Sequence, residues 1–364
     1  MIRLRRGRVI EVVEERPGAT QVRVEVEGTE ASAIVYPAMV GPVEPGASVL
    51  LNTTAVDLGL GTGGVHFVIA VENGPELDPL ATGRTMKLRY TPQQVKVLTA
   101  EEEDSVHRSV MVRAEDLKGT PVVWVPLHSL LAPVAAGAKA AGAKRVAYVM
   151  TDGAALPAPL SRLLAALRSA ALVDAVITTG QAFGGDLETV NVFTGLLAAH
   201  AVADSDVIVV GDGPGNMGTN TTWGATDVES AMALNAAAIL GGRPVAALRV
   251  SFADPRERHR GVSHHALTAL SRVVLAPAHV AVPAMADERE RSMIWKGLKE
   301  ARLEERHQLV EATGQPALNL LRDRGIDVES MGRAVEDDPE FFLAGGAAGV
   351  LAGRMAKGRW RRGQ

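Results

Sequence analysis

Up to about Glu72 the chain alternates apolar and polar residues in short runs such as "TQVRVEVEG" (Thr20 to Gly28) and "ASVLLNTT" (Ala47 to Thr54), parted by Pro-Gly and Gly-rich turns. A period of two is that of half-buried antiparallel strands. Closing such strands into a small β-barrel leaves no free edge, so residues 1–72 are expected to form one. Residues 73–120, with "MKLRYTPQQVKVL" and the acidic "AEEEDS", break the pattern and read as a polar connecting region. From about Pro121 the runs become apolar at every position: "VVWVP", "VAYVM", "AVITT", "VIVVG", "VAALRVSF" and "VVLAP". Strands of that kind need cover on both faces, which predicts a parallel sheet between two layers of helices. The helices are expected in "LPAPLSRLLAALRSAAL" and "DLETVNVFTGLLAAHAVA", where apolar residues recur at three and four spacing, with Pro157 and Pro159 suited to a first turn. A charged helix over Glu288 to Arg306 follows, then strand, helix and strand in "HQLVEA", "QPALNLLRD" and "GIDVESMGR", and a closing helix in "DDPEFFLAGGAAGVLAGRM". The fold class is therefore α/β, a three-layer parallel sheet over 121–364 with an N-terminal barrel.

Composition narrows the chemistry. At 364 residues and 47% hydrophobic content the chain can bury a large core. It has no cysteine, which removes disulfides, thiolate metal sites, iron–sulfur clusters and a cysteine nucleophile, and suits a cytoplasmic protein. The apolar runs stop short of the roughly 18 residues that a membrane span requires, and Met1 runs straight into "IRLRRGR", so neither anchor nor leader is expected. A net charge of −4 gives no overall attraction to nucleic acid. The basic ends, Arg3 to Arg8 and Lys357 to Gln364, read as solvated termini.

The stretch "VIVVGDGPGNMGTNTTWGATDVE" (Val207 to Glu229) holds Gly213, Gly215 and Gly218 in GxGxxG spacing after an apolar strand. In the dinucleotide fingerprint the helix opens inside that loop. Here the better helix start is Thr226, which with Glu229 forms a capping-box pattern well past the last glycine. No acid stands about twenty positions on, because that region reads "MALNAAAILGG". This is not the nicotinamide arrangement. What remains is a long loop in which backbone amides and the hydroxyls of Thr219, Thr221 and Thr222 are candidates for an anion or a ribose, or a glycine-driven turn with Asn216 and Asn220 left-handed.

Polar residues follow the inferred strands: His128, Asp152, Gln181, Asp212 and Asp254. In an open parallel sheet these ends share one edge, where ligands bind. Each alone is also an ordinary turn former. Asp152 and Asp212 are the candidate ligands for Mg²⁺, and His128 is the candidate proton carrier. In "DPRERHRGVSHHALTALSR", Arg258 and Arg260 with His264 and the start of a helix at Ser263 are candidates for holding an anion. Adjacent positions on a helix point about 100° apart, so His264 and His265 are not expected to share a metal. His66, beside the glycines of "LGLGTGGVHFV", reads as a strand histidine. There is no GxSxG elbow and no Walker loop.

Together "LGLGTGGVHFV", "MKLRYTPQQ", "PLHSLLAPVAA", "YVMTDGAALP", "GPGNMGTNT", "GVSHHALTAL" and "DDPEFFLAGGAAG" resemble the bacterial family of unknown function DUF3866. The resemblance runs over nearly the whole chain and implies that barrel and α/β part belong to one unit, but it assigns no reaction and no catalytic residue. The expectation is a protein that binds a phosphorylated or nucleotide-like small molecule at the carboxyl edge of the sheet, with Mg²⁺-assisted phosphate chemistry if it is an enzyme. The alternative is a non-catalytic sensor or scaffold whose barrel contacts a partner. Nucleic acid is the weaker partner, since the barrel carries Glu14, Glu15, Glu25 and Glu27. A homo-oligomer stays open.

Overall fold

The computed structural model describes residues 2–59, 64–79 and 81–358. They form two compact units, Met1–Thr82 with Met86–Val97, and Gly83–Thr85 with Leu98–Gln364.

The first unit is a closed barrel of β1 (Leu4–Arg16), β2 (Ala19–Val26), β3 (Thr29–Val35), β4 (Ser48–Asn52) and β5 (Val65–Val71), in the order β1-β2-β3-β5-β4. The β1–β4 pairing closes it, and β3 and β5 run parallel while the other pairs are antiparallel. This is the strand order of an OB-type barrel. Two register shifts in β1, between Val9 and Glu11 and between Val12 and Glu14, bend this long strand around the core. Val9, Val22, Val24, Ala33, Val49 and Leu51 fill the interior, the inward half of the alternation seen in the sequence. The basic start is neutralised locally. Arg3 and Arg5 pair with Glu27, and Arg6 pairs with Glu72. His66 is buried on β5, and burial, then the charge of Arg3, lowers its pKa. Residues 60–63 of the neighbouring glycine turn and the basic stretch 359–364 lie outside the described residues.

The second unit is built on an eight-stranded sheet, parallel throughout. Its strands are β6 (Pro121–Trp124), β7 (Val146–Thr151), β8 (Ala175–Thr178), β9 (Leu187–Glu188), β10 (Val207–Asp212), β11 (Arg243–Ala246), β12 (His279–Pro283) and β13 (Gln308–Ala312), in the order β9-β8-β7-β10-β6-β11-β12-β13. Successive residues feed two cores. Along β6, Val122 and Trp124 enter one, with α3 (Val192–Ala201), α5 (Met232–Ile239) and α7 (Glu288–Glu300). Val123 and, just past the strand, Val125 enter the other, with α1 (Leu131–Ala140), α2 (Arg162–Ser169), α8 (Gln315–Asp323) and α9 (Pro339–Ala356). Helices α1 and α9 approach so closely through Gly137 and Gly349 that a Cβ at either would overlap backbone atoms of the other helix, and a Cβ at Gly346 would overlap Gly314 O at the start of α8.

Four local expectations change. Pro157 precedes a 3₁₀ turn that contains Pro159, and α2 starts after Ser161, whose hydroxyl accepts from the Leu164 amide at 2.9 Å. The "VVLAP" run is not a strand: Asn235 Oδ1 accepts from the amides of Leu275 and Ala276, holding the segment off the sheet, and β12 follows it. The charged helix ends at Glu300 because Arg302 takes φ 55°. The "GIDVESMGR" strand reduces to Glu329–Ser330, paired with Arg333–Ala334 across Met331 and Gly332, both at positive φ. Among the described residues no helix is long and apolar enough to cross a membrane.

Candidate functional site

The chain leaves β7 towards β8 and leaves β10 towards β11, so these adjacent strands send their connections in opposite directions. Such a reversal is where open parallel sheets commonly leave a crevice outside the carboxyl ends of their strands. Asp212 ends β10 opposite Thr151, the last residue of β7, and is 2% exposed. Its Oδ1 accepts from Thr151 Oγ1 at 2.6 Å and from the Gly153 amide at 3.2 Å, and its Oδ2 accepts from Asn216 Nδ2 at 3.2 Å. Burial raises its pKa to about 6, against those hydrogen bonds and with help from the nearby charges of Asp227 and Asp152. Asp152 is exposed and accepts from the Gln181 amide at 2.8 Å. The structure thus brings Asp152, Gln181 and Asp212 together. Among the described residues no group of three or more His, Asp or Glu is placed to hold a metal ion.

His128 is near this edge but faces inward, 7% exposed. Its Nδ1 lies 3.2 Å from Tyr148 Oη and its Nε2 2.7 Å from Ser161 Oγ. Tyr148 donates to the Asp212 carbonyl oxygen at 2.7 Å, so one tautomer, protonated on Nδ1, satisfies the whole chain of bonds. Both nitrogens are therefore engaged in joining β7, α2 and β10. Burial lowers the His128 pKa from 6.5 to about 4. The unfolded imidazole takes up a proton that the folded one refuses, so stability should fall as pH drops from about 6.5 towards 4, by up to about 3 kcal/mol. Urea midpoints at pH 7 and 4.5 check this. The loss should be smaller in His128→Asn, and an equal loss in both proteins would show that the histidine does not titrate this way.

The glycine loop folds back on itself as a small hairpin, with Gly218 bridged to Ala225 and the Thr219 amide bonded to Gly224 O at 2.7 Å. The Thr219 hydroxyl donates to Gly224 O and lies 2.8 Å from that of Thr221. The capping box expected of Thr226 and Glu229 does not form. Thr226 Oγ1 instead accepts from Asn216 Nδ2 and the Met217 amide, and α4 (Thr226–Ser230) starts without a side-chain cap. Gly213 lies so close to Ala155 O and Met150 that no side chain fits, and Gly215 takes φ 96°. Met217 and Trp223 project from the loop, 73% and 57% exposed, with the Arg272 guanidinium 5.7 Å from the Trp223 ring.

Beside the loop lies a buried group of arginines and histidines. Asp254, 1% exposed, takes a bidentate pair from Arg256 at 2.9 and 2.8 Å and one contact from Arg249 at 3.4 Å. Burial works against its ionisation, but the hydrogen bonds and charge of Arg256 hold its carboxyl well below the usual range. Arg333 pairs with Asp338, which also accepts from Ser251 Oγ at 2.6 Å. Burial, then the cations Arg249, Arg256 and Arg258, lower His259 to about 3, and its Nδ1 lies 2.9 Å from Ser263 Oγ. Ser263 consequently does not cap α6 (His264–Thr268). The ring centroids of His264 and His265 lie 3.8 Å apart with the planes tilted by 34°, which corrects the divergence expected from their adjacency: at this helix start both side chains turn to one side. His265 Nε2 reaches Thr221 O at 3.0 Å, and Asp227 feels the charges of His265 and Arg249. Of the residues singled out in the sequence, Asp254, Arg258 and His264 belong here, while Arg260 is exposed.

Arg249, Asp227, His259, Arg333 and Asp338 escaped the sequence reading. Arg249 had a signal, a charge inside the apolar run "ALRVSF", whereas Asp227 and Asp338 looked like helix-start acids. No curated protein matches this chain. A family model described as protein of unknown function (DUF3866) matches residues 32–349, most of both units. The chain belongs to that family, DUF3866.

Proposed function

We propose that the chain binds a phosphorylated or nucleotide-like small molecule in the crevice at the carboxyl ends of β7 and β10, where Asp212 handles a proton. The observation that supports this reading is a nearly buried carboxyl at the reversal point of the sheet, titrating near pH 6 and held in place by Thr151, Gly153 and Asn216. A group poised near neutral pH exchanges protons efficiently. Mg²⁺ and proton transfer compete for Asp212, because a metal holds the carboxylate ionised. The proton role is favoured, since both oxygens already accept hydrogen bonds from the protein. Mg²⁺ would take its remaining ligands from phosphate and water. A cysteine-free chain needs no oxidising compartment, and we place this chemistry in the cytoplasm. The outward residues of β2 and β3 include Glu25 and Glu30, and Glu27 lies in the turn between them, which disfavours a polyanion as partner of the barrel.

Thermal shift against nucleotides, sugar phosphates and coenzymes, each with and without Mg²⁺, tests the reading. Saturation at 100 times the dissociation constant adds about 2.7 kcal/mol of stability. The expected result is a hit that persists without Mg²⁺ and weakens in Asp212→Asn. A blank across the library, or a hit indifferent to Asp212→Asn, would overturn it.

A further inference from the structure

We infer that Arg249, Arg258 and His264 form a seat for the phosphate group of the ligand, beside the glycine loop rather than on its amides. This rests on the crevice reading above and deepens it. Three unmet polar atoms carry the argument. Arg249 Nε, Arg258 Nε and His264 Nε2 are buried without a hydrogen-bond partner, as is Nη2 of Arg333. Arg249 as a whole is only 6% exposed. A buried donor without an acceptor leaves its desolvation uncompensated, so their concentration at one place asks for an acceptor that meets several at once.

The charges point the same way. Three guanidiniums, those of Arg249, Arg256 and Arg333, face the carboxyls of Asp254, Asp338 and Asp227, and Arg258 adds a fourth charge beside His259 and His264. Arg256 is committed to Asp254 in two hydrogen bonds and Arg333 to Asp338, while burial pushes Asp227 towards its neutral form. Arg249 and Arg258 are the cations left under-compensated. Burial, then the charges of His265, Arg258 and Arg249, keep His264 neutral, lowering it to about 4. The neutral ring can lie 3.8 Å from that of His265 and still present one N–H. A tetrahedral oxyanion accepts in several directions, which suits guanidinium and imidazole donors arriving from different elements better than a planar carboxylate does. Arg258 and His264 are only half-buried, so the seat opens to solvent. Through His265 and Thr221 it adjoins the glycine loop, and through Asp227 the switch point.

The test uses the whole chain and inorganic phosphate, with acetate as the carboxylate probe, by calorimetry at fixed ionic strength. Arg258→Gln is chosen because its half-exposed position makes unfolding avoidable, and Arg322→Gln on α8 serves as the control for lost charge. The expected result is saturable phosphate binding, weaker acetate binding, and at least a tenfold loss in Arg258→Gln with none in Arg322→Gln. Phosphate binding that is absent, or equal in all three proteins, overturns the seat. The larger ligands separate the two readings. If a nucleotide or sugar phosphate binds equally well to wild type and Arg258→Gln but weakly to Asp212→Asn, the seat falls and the crevice stands. If phosphate binds through Arg258 and no larger compound binds better, the seat stands and the crevice falls.

Discussion

Gly349→Ala is expected to cost the α/β unit about 3–5 kcal/mol, enough to unfold much of it at ordinary temperature. A Cβ at Gly349 would overlap Val134 O and crowd the Ala138 amide, both backbone atoms of α1. Backbone cannot swing aside as a side chain can, so α1 and α9 would have to separate. That separation would loosen the core containing Leu130, Val134, Phe341 and Leu351. Gly297 on α7 supplies the contrast, because nothing lies within 4 Å of a Cβ there. Gly297→Ala should stabilise by about 0.5–1 kcal/mol, the difference in helix propensity. Urea midpoints of the two variants decide the matter. If both shift in the same direction, the tight α1–α9 contact is not what requires glycine.

Asp254→Asn should be nearly as damaging, at about 3–5 kcal/mol, because it strands buried cations rather than removing a pair. The Asp254 carboxylate has no side-chain exposure and meets Arg249, Arg256 and Arg333 at once. Arg249, 7% exposed at the side chain, has no solvent to turn to. A double-mutant cycle with Arg249→Met should recover part of the loss; simple additivity would show that the two do not couple. The acid behaviour has its own sign. A carboxyl held below its ordinary value of 3.8 contributes stability that is present above that pH and lost only as the pH falls further. The acid sensitivity expected between pH 6.5 and 4 therefore belongs to His128, His259 and His264, and not to this pair.

Much of the architecture was legible because burial writes directly into periodicity. The alternation in "QVRVEV" is the inside and outside of the barrel, and "VIVVG" is a strand covered on both faces. That Asp152, Gln181 and Asp212 gather at one edge was legible because a parallel sheet brings its carboxyl ends together whatever the side chains are. Side-chain partners were not legible. His128 is a residue type that carries protons, yet Tyr148 and Ser161, distant in sequence, engage it from both sides. Thr226 has the spacing of a cap, but Asn216 reaches its hydroxyl first. The arginine and histidine group drew its missing members from Asp227 to Asp338, positions that no local window connects.

The strand order has a kinetic consequence. β6 opens the sheet in sequence but sits in its interior, where Val123 pairs with Val209 on one side and Val245 on the other. Neither neighbour exists as a strand until most of the chain has been made, so β6 must wait with both edges open. Pairings that span so many residues make folding slow, and an apolar strand left waiting is prone to pair with another molecule. The same sheet reversal thus sets a long interval in which a nascent chain depends on dilution or a chaperone to stay single.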